Sequence, residues 1–285
     1  MNQLLDDLIK VMTLERLELN LFRGQSRDIG SAQVFGGQVL GQALVAATAT
    51  AEDRVVHSLH GYFLRRGDFN SPIVYEVDRA LDGKHFSSRR VVAIQHGRQI
   101  FNMSASFQLA ETGLDHQISI PEVPPPESLP DYETHYREVA DKLPAAARRM
   151  LEQKRPFEFR PVDPPDPLRR DKSPPRKYIW FRAVDRLAGD EALHRCLLAY
   201  VSDFHLLDTA LGPHGVSMIS SHLVIASVDH AMWFHRSVRV DDWLLYAVDS
   251  PSASGARGFT RGSVFARDGR LVASAAQEGL IRVTS

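Results

Sequence analysis

The chain has 285 residues, of which 44% are hydrophobic and 24% are charged, and a chain of this length can bury a core without disulfides or metals. Its formal net charge of -1 argues against nucleic acid as the main partner, which usually requires a basic excess. The one cysteine, Cys196, excludes an intrachain disulfide and a cysteine-based zinc site, and its leucine-rich surroundings indicate a buried thiol.

The sequence also lacks the features of a membrane or secreted protein. No run approaches the roughly 18 apolar residues that a membrane span needs. The acidic segment Met1–Asp7 does not have the charged and then apolar pattern of a signal peptide. We therefore expect no membrane span and a cytoplasmic location.

The first third of the chain predicts a helix followed by four strands. Small residues recur through Phe35–Ala47, as in a closely packed helix. Alternating polar and apolar residues, many of them β-branched or aromatic, predict strands over 55–65, 73–81, 86–95 and 99–108. Gly97 lies where a hairpin turn is expected.

Prolines mark the middle of the chain. Most of the sixteen prolines lie between Pro121 and Pro175. Because proline removes a backbone donor and fixes φ, this region cannot be one continuous helix or a central sheet. We interpret 116–154 as a proline-rich linker that is interrupted by a helix near 132–153. A strand is predicted shortly after it, over 157–162.

The last part of the chain repeats the order of helix and strands. A strand over 178–185 and a helix over 190–211 precede four strands, at 222–235, 243–249, 256–267 and 271–283. Three local matches support an internal duplication; they pair His57–Arg65 with Ser227–His235, Phe86–Arg89 with Ala253–Arg257, and Met103–Gln108 with Val272–Gln277.

A helix on one face of an antiparallel sheet, present twice, predicts an α+β protein. We place the first unit at 1–115 and the second at 155–285. The two sheets can join edge to edge, which removes two exposed edges.

Common catalytic motifs are absent from the sequence. It has no G-x-S-x-G nucleophile elbow, no phosphate-binding loop and no H-E-x-x-H metal motif. The histidine pairs His57 and His60, and His230 and His235, have odd spacing, which points side chains to opposite faces of a strand. We therefore interpret them as structural histidines and expect no metal site.

Gly36 and Gly37 open the first predicted helix. Adjacent glycines at this place allow close packing against a neighbouring helix. Alternatively, they leave backbone N–H groups facing the carbonyl or phosphate of a ligand. The sequence alone favours neither interpretation.

Asp203 is the first candidate for catalysis. On a helix over 193–211, it lies on an apolar stripe between Tyr200 and Leu207. Burial raises the pKa of a carboxyl group, and a raised pKa suits a general base near neutral pH. The alternative is that Ser202 and Asp203 cap a new helical turn that begins at Phe204.

Ser227 and Gln277 are polar residues in strands that follow this helix. A buried glutamine needs specific partners for up to four hydrogen bonds. Structural hydrogen bonding is one explanation for both residues, and pairing with Asp203 is the other. The helix of the first unit, 35–48, contains no Asp or Glu, so a carboxylate base predicts one site per chain.

Several segments, in order along the chain, resemble the acyl-CoA thioesterase II family of bacteria and peroxisomes. The resemblance covers nearly the whole chain and is carried by Leu21–Ser26, Gln33–Ala43, His57–Arg65, Phe86–Gln95, Asp229–Arg236, Ser252–Gly258 and Gln277–Gly279. It implies a double-hotdog fold and hydrolysis of an acyl-CoA substrate to free fatty acid and CoA. It also implies a homo-oligomer, in which sheet edges or faces find partners.

The resemblance further implies the catalytic set Asp203, Ser227 and Gln277. Asp203 takes a proton from a water molecule that attacks the thioester carbonyl, Ser227 and Gln277 hold that water, and no cofactor is needed. Bacterial members of the family often carry Thr where this chain has Ser227, so the rigidity of a β-branched side chain is lost. The candidates for substrate binding are Gly36, Gly37, His57, Arg65 and Arg89, with Arg66 and Arg90 as further candidates for the CoA phosphates.

Two other functions stay open at this point. A hotdog hydratase adds water to an enoyl-CoA and commonly pairs an Asp with a His five residues on, where this chain has Asp208. A non-catalytic acyl-CoA binder would hold the ligand without turnover. The preferred acyl chain length depends on the depth of a pocket, which the sequence does not give.

Overall fold

The fold is that of a computed structural model, which describes residues 2–31, 33–137, 140–143, 145, 148, 153–164, 171–188, 190–218, 220 and 222–284. The first unit consists of α1 (Gln3–Met12), β1 (Glu15–Glu18), β2 (Leu21–Gly24), α2 (Gly36–Thr48), β3 (Val55–Phe63), β4 (Ile73–Asp82), β5 (Phe86–Gln95) and β6 (Arg98–Gln108). After α3 (Tyr132–Arg137), the second unit consists of β7 (Phe157–Pro161), β8 (Arg176–Ala183), α4 (Glu191–Ser202), β9 (Leu223–Ser227), β10 (Asp229–Phe234), β11 (Leu244–Ser254), β12 (Arg257–Ala266) and β13 (Leu271–Val283).

The helix and the four strands predicted for the first unit are confirmed as α2 and β3 to β6. His96 and Gly97 join the last two strands with φ angles of 50° and 71°. Two positive φ angles are what a two-residue type I′ hairpin turn requires. The sequence prediction missed α1, although its buried residues Leu5, Leu8 and Met12 recur at helical spacing.

The helix predicted over 190–211 is shorter than expected. α4 ends at Ser202, and a 3-10 helix, Leu207–His214, follows after a turn. Within that turn His205 has a φ of 61°, a left-handed conformation that is uncommon for residues other than glycine. The apolar pattern continues across this break and therefore does not reveal it.

The strand predicted over 222–235 is divided at Val228 into β9 and β10. Both parts pair with β13, but β10 also pairs with β3 of the first unit. The register against β13 shifts by one residue between the two parts, from Ser227 opposite Gly279 to Ala231 opposite Ala276, and such a shift is the mark of a β-bulge at the interruption.

The described strands form one antiparallel sheet of thirteen strands. Its order is β1-β2-β4-β5-β6-β3-β10-β13-β12-β11-β8-β7, and β9 pairs with β13 off this path. The two units meet where β3 pairs with β10, with Leu59 opposite Met232. The expected joining of two sheets edge to edge is confirmed, and each unit covers an edge of the other.

α2 and α4 pack against each other in antiparallel directions. A Cβ on Gly37 would lie 2.2 Å from the carbonyl oxygen of Tyr200, and one on Gly41 would lie 3.2 Å from that of Cys196. A distance of 2.2 Å leaves no room for a side chain, so close helix packing is confirmed as one role of Gly37. The core around the helices includes Leu40, Leu44, Leu59, Leu197, Leu198 and Met232.

Cys196 is buried between these two helices. Burial raises the pKa of its thiol to about 12. The thiol therefore stays protonated near neutral pH, and a protonated thiol is a poor nucleophile. The prediction of a buried, unreactive cysteine is confirmed.

The proline-rich segment runs along the second unit. The side-chain amide of Gln117 donates to the Gly269 carbonyl at 2.8 Å and accepts from the Leu271 N–H at 3.0 Å. α3 agrees with the start of the helix predicted near 132–153, and the rest of that prediction lies largely outside the described residues. The unit boundaries at 115 and 154 stay predictions. In the described ranges no helix has both the length and the apolar character to cross a membrane.

Candidate active site

Four polar side chains of the second unit lie in one buried cluster. Asp203 is the C-cap residue of α4, Ser227 ends β9, His230 lies in β10, and Gln277 lies in β13. The Nε2 atom of Gln277 is the centre of the cluster. Its neighbours are Asp203 Oδ1 at 2.7 Å, Ser227 Oγ at 3.2 Å and His230 Nδ1 at 3.2 Å. The structure therefore brings together the three residues predicted to be catalytic.

The turn that ends α4 directs Asp203 toward the sheet. The 3-10 helix that follows has Leu206 as its N-cap residue and no side-chain cap. The Ser202 hydroxyl bonds back to the Ala199 carbonyl. The alternative that Ser202 and Asp203 cap a turn beginning at Phe204 is therefore wrong. Its carboxylate is 6% exposed and accepts a hydrogen bond from Gln277, which offsets part of the cost of burying a charge.

Strand pairing places the other three side chains on the helix-facing side of the sheet. Ser227 is paired with Gly279, and Gln277 lies two residues before Gly279, so their side chains share a face. Ala231 is paired with Ala276, and the same register places His230 opposite Gln277. Both His230 and Gln277 are buried.

His230 is held as a neutral ring. Burial lowers the pKa of His230, and the Asp203 carboxylate, 3.8 Å from its Nδ1 atom, only partly opposes this shift. Its Nε2 atom lies 3.0 Å from the hydroxyl of Ser202. The phenol of Tyr246 donates to the Ser202 carbonyl at 3.1 Å, and burial, with a further contribution from Asp203, raises the pKa of Tyr246 well above its usual value.

The sequence prediction treated His230 as structural and did not connect it with Gln277. A signal was available in β10, because His230, Met232 and Phe234 alternate along the strand and all three are buried. His235 lies on the opposite face, where its Nε2 atom is 2.9 Å from Ser274 Oγ. The odd spacing of this pair therefore predicted its two faces correctly.

The N-terminus of α2 approaches the cluster from the first unit. A Cβ on Gly36 would lie 2.8 Å from Asp203 Oδ2 and 3.1 Å from the Phe63 ring. Phe35 is the N-cap residue and provides no side-chain cap, and the first N–H groups of a helix have no partner within the helix. The positive end of the helix dipole thus lies beside the Asp203 carboxylate.

His57 lies on the outer face of the sheet, away from this cluster. A bulge in β3 between Val56 and Ser58 places the His57 ring 2.8 Å from Ser106 Oγ. Ser106 is paired with Ser58, and Ser58 lies two residues before His60, so Ser106 and His60 are on the same face. Because the His57 ring contacts Ser106, His57 and His60 share that face. The expectation that they point to opposite faces is wrong, because a bulge shifts the alternation by one residue.

Arg89 also lies away from the cluster, near the end of α2. It is 2% exposed, and its guanidinium donates to Thr50, to the carbonyls of Leu81 and Ser88, and to Asp82. These partners engage all three guanidinium nitrogens within the protein. The structure therefore does not present Arg89 to a CoA phosphate.

Arg65 lies just beyond the end of β3. It is exposed and follows two residues after Phe63, the ring next to Gly36, and its Nη1 atom donates to the Gln99 carbonyl at 2.6 Å. Arg66 and Arg90 are exposed as well. Of the predicted substrate-binding residues, Gly36 is the one that the structure places against the cluster, and Gly37 follows it in the first turn of α2.

Proteins of known class match this chain over nearly its whole length. One family model, described as acyl-CoA thioesterase, matches residues 146–280, and another, described as acyl-CoA thioesterase N-terminal domain, matches residues 24–108. Acyl-CoA thioesterase 2 of Haemophilus influenzae is 42% identical over 283 residues, which are 99% of each chain. Acyl-coenzyme A thioesterase 8 of Homo sapiens is 43% identical over 282 residues, which are 96% of this chain and 88% of that protein.

Solved structures show the same fold. An acyl-CoA thioesterase II from Mycobacterium marinum is 42% identical with a TM-score of 0.80, and the match covers 98% of this chain and 99% of that one. A hot dog fold protein from Alicyclobacillus acidocaldarius is 18% identical with a TM-score of 0.77 and supports the fold alone. These matches define a double-hotdog thioester hydrolase. The chain belongs to the acyl-CoA thioesterase family, and the fold, family and enzyme class expected from the sequence are confirmed.

Proposed function

We propose that this chain hydrolyses acyl-CoA thioesters to free fatty acid and CoA by direct attack of water. Asp203 acts as the general base, and Ser227 and Gln277 hold the water. The observation that carries the proposal is the buried contact of 2.7 Å between Gln277 Nε2 and Asp203 Oδ1. Because Gln277 engages Oδ1, the second carboxylate oxygen is the one that receives the proton.

In the proposed reaction, the water oxygen forms a bond to the thioester carbonyl carbon while a water proton moves to Asp203 Oδ2. The carbonyl oxygen becomes an oxyanion. When the carbonyl forms again, the C–S bond breaks, and the proton on Asp203 passes to the CoA sulfur. The water thus supplies the hydroxyl of the acid and the proton of the thiol, and Asp203 returns to its starting charge.

Ser227 and Gln277 supply complementary hydrogen-bonding groups for the water. Ser227 Oγ lies 3.2 Å from Gln277 Nε2. The amide nitrogen cannot accept a hydrogen bond, so the hydroxyl proton of Ser227 can point to the water oxygen. Gln277 Oε1 is buried, and no group among the described residues hydrogen-bonds to it. This oxygen can accept the second proton of the water. Both contacts support attack in a fixed orientation, which lowers the entropic part of the barrier.

The N-terminus of α2 is the proposed oxyanion site. The N–H groups of Gly36 and Gly37 begin this helix, and Gly36 lies against Asp203. A preorganised donor of this kind typically contributes about 2.7–4 kcal/mol to transition-state stability. The rings of Phe35, Tyr200 and Phe204 pack together next to Asp203, and such an apolar wall suits an acyl chain.

Asp203→Asn tests the assignment of the base. This substitution preserves the size of the side chain but removes the proton acceptor, so we expect turnover to fall by at least ~100-fold. Release of free thiol from a saturated acyl-CoA measures turnover. The matched control is Asp249→Asn, whose carboxylate forms an exposed ion pair with Arg261 and should affect turnover little. A rate near that of the unmodified enzyme in Asp203→Asn would contradict the proposal.

The same assay separates the proposal from the two rival functions. A hydratase would add water to an enoyl-CoA without releasing thiol, and a binder would retain acyl-CoA without turnover. The structure gives further support against the hydratase, since Asp208, five residues after Asp203, is ion-paired with Lys177. A screen from short to long acyl-CoAs would give the preferred chain length.

Assembly and location stay predictions. The homo-oligomer expected from the resemblance is measured by size-exclusion chromatography with light scattering. The cytoplasmic location is measured by cell fractionation.

A further inference from the structure

His230 and Ser202 are buried polar residues that the proposed reaction does not use. They link the last turn of α4 to Gln277 through a continuous series of contacts. From the Ala199 carbonyl to Ser202 Oγ, to the His230 ring and to Gln277 Nε2, the successive distances are 2.9, 3.0 and 3.2 Å. Burying such a network is costly unless its members are paired. We therefore expect each member to make a hydrogen bond, and the partners show which atom donates and which accepts.

The chemistry of the partners fixes the direction of each hydrogen bond. The Ser202 hydroxyl has one proton, and the Ala199 carbonyl at 2.9 Å and Met232 Sδ at 3.2 Å can both accept it. A thioether sulfur is the weaker acceptor and lies farther away, so the hydroxyl donates to the Ala199 carbonyl. Ser202 Oγ then accepts from His230, which places the ring proton on Nε2. Burial lowers the pKa of His230, and in a neutral ring with its proton on Nε2 the other nitrogen is an acceptor. His230 Nδ1 therefore accepts from Gln277 Nε2.

Two acceptors consequently face the amide nitrogen of Gln277. Asp203 Oδ1 lies 2.7 Å from Nε2 and His230 Nδ1 lies 3.2 Å from it. Rotating the amide by half a turn would place Oε1 against both acceptors and break both bonds. Nε2 therefore stays toward Asp203, and Oε1 stays in the position where the proposed reaction needs an acceptor for the water.

We propose that His230, held by Ser202, is a positioning residue that fixes the orientation of the Gln277 amide during thioester hydrolysis. The inference rests on the proposed function. Asp203 loses its negative charge when it takes the proton, so its hold on the amide weakens during the reaction. His230 stays neutral and keeps its acceptor throughout. Its contribution is therefore greatest while Asp203 is protonated.

The test compares two substitutions of His230 by steady-state thiol release. His230→Leu removes the acceptor and is expected to lower kcat by about 10- to 100-fold with KM changed by less than about 3-fold, because the amide loses its orientation. His230→Asn keeps a side-chain oxygen near the position of Nδ1. Its kcat is therefore expected to be at least about 3-fold higher than that of His230→Leu. The matched control is His235→Asn, since His235 pairs with a serine on the opposite face of the sheet, and its kcat should stay within about 2-fold.

A double-mutant comparison tests whether His230 acts through Gln277. In a Gln277→Ala background, His230→Leu should lower kcat by less than about 2-fold, because the amide it orients is already absent. If His230→Leu does not fold, Ser202→Ala provides the test, with an expected fall in kcat of about 3- to 10-fold.

Three results would overturn the inference: an unchanged kcat in His230→Leu, equal losses in His230→Leu and His230→Asn, or an undiminished effect of His230→Leu when Gln277 is alanine. An inactive Asp203→Asn together with any of these leaves the proposed function intact. An active Asp203→Asn variant would overturn both the proposed function and this inference.

Discussion

Replacing Gly36 with alanine is expected to reduce turnover while the protein stays folded. The added Cβ would lie 2.8 Å from Asp203 Oδ2, whereas ordinary contacts begin at 3.4 Å, so the carboxylate must move by about 0.6 Å. A misplacement of about 1 Å can cost on the order of 100-fold in rate. We therefore expect kcat to fall by about 10- to 100-fold.

The cost to stability should be small, because the atoms that the new Cβ meets belong to the side chains of Asp203 and Phe63. A net change of about 1 kcal/mol in the free energy of unfolding corresponds to roughly 2–4 °C in melting temperature for a chain of about this length.

Gly37→Ala is the matched comparison. Its Cβ would lie 2.2 Å from the backbone carbonyl of Tyr200, which cannot rotate away, so α2 and α4 would have to separate. Overpacking of this kind costs typically about 1–3 kcal/mol, and occasionally more. Gly37→Ala should therefore lose stability first, whereas Gly36→Ala should lose turnover first.

Thiol release gives kcat and KM for these two variants, and thermal unfolding gives their melting temperatures. An unchanged kcat in Gly36→Ala would refute the reasoning, because it would show that the start of α2 does not lie beside a working carboxylate. An equal loss of melting temperature in both variants would show that Gly36, like Gly37, is needed mainly for packing.

Three further predictions follow from the buried polar groups. Gln277→Ala should lower kcat by at least about 10-fold, whereas the melting temperature should fall much less. Comparable losses of fold and activity would favour a structural role. Arg89→Met should cost about 1–3 kcal/mol in urea unfolding, because the carbonyls of Thr50 and Leu81 lose their donor, while kcat per folded enzyme stays the same; a raised KM would instead support contact with CoA. Burial lowers the pKa values of His205 and His230 below the unfolded value of about 6.5, so the unfolded state binds more protons below that pH. Stability should be fully present above about pH 6.5 and decrease as the pH falls; a melting temperature that is constant from pH 7.5 to 5 would contradict this.

Local patterns in the sequence predicted most of the fold. β3 to β6 and β11 to β13 follow from alternation of polar and apolar residues, which is a property of each strand by itself. The end of α4 was not predictable in this way, because the apolar pattern continues through Phe204 and Leu207. That break depends on the left-handed backbone of His205, which no apolar pattern encodes.

The structure brings together the residues that the motif match identified as catalytic, and their roles stay predictions. The sequence could not show which arginines are already engaged by long-range contacts. Asp203 and Gln277 are 74 positions apart and meet at 2.7 Å, as the resemblance implied. Arg89 was a reasonable candidate for a phosphate, but its partner Thr50 lies 39 positions away in sequence. Only the tertiary structure shows that this arginine is already engaged.

The arrangement of the two helices explains why one chain should carry one active site. α2 and α4 are antiparallel, so at each end of the pair the start of one helix lies beside the end of the other. At one end, Gly36 lies beside Asp203, which combines the open start of one helix with the carboxylate that ends the other. At the opposite end, the start of α4 is already capped by the Asp190 side chain, which accepts from the Leu193 N–H, and α2 ends at Thr48. The carboxylate at that end caps the helix start instead of lying beside an open one, so a non-hydrolysable acyl-CoA analogue should bind once per chain in a calorimetric titration. Two equivalent sites per chain would contradict this division of roles between the units.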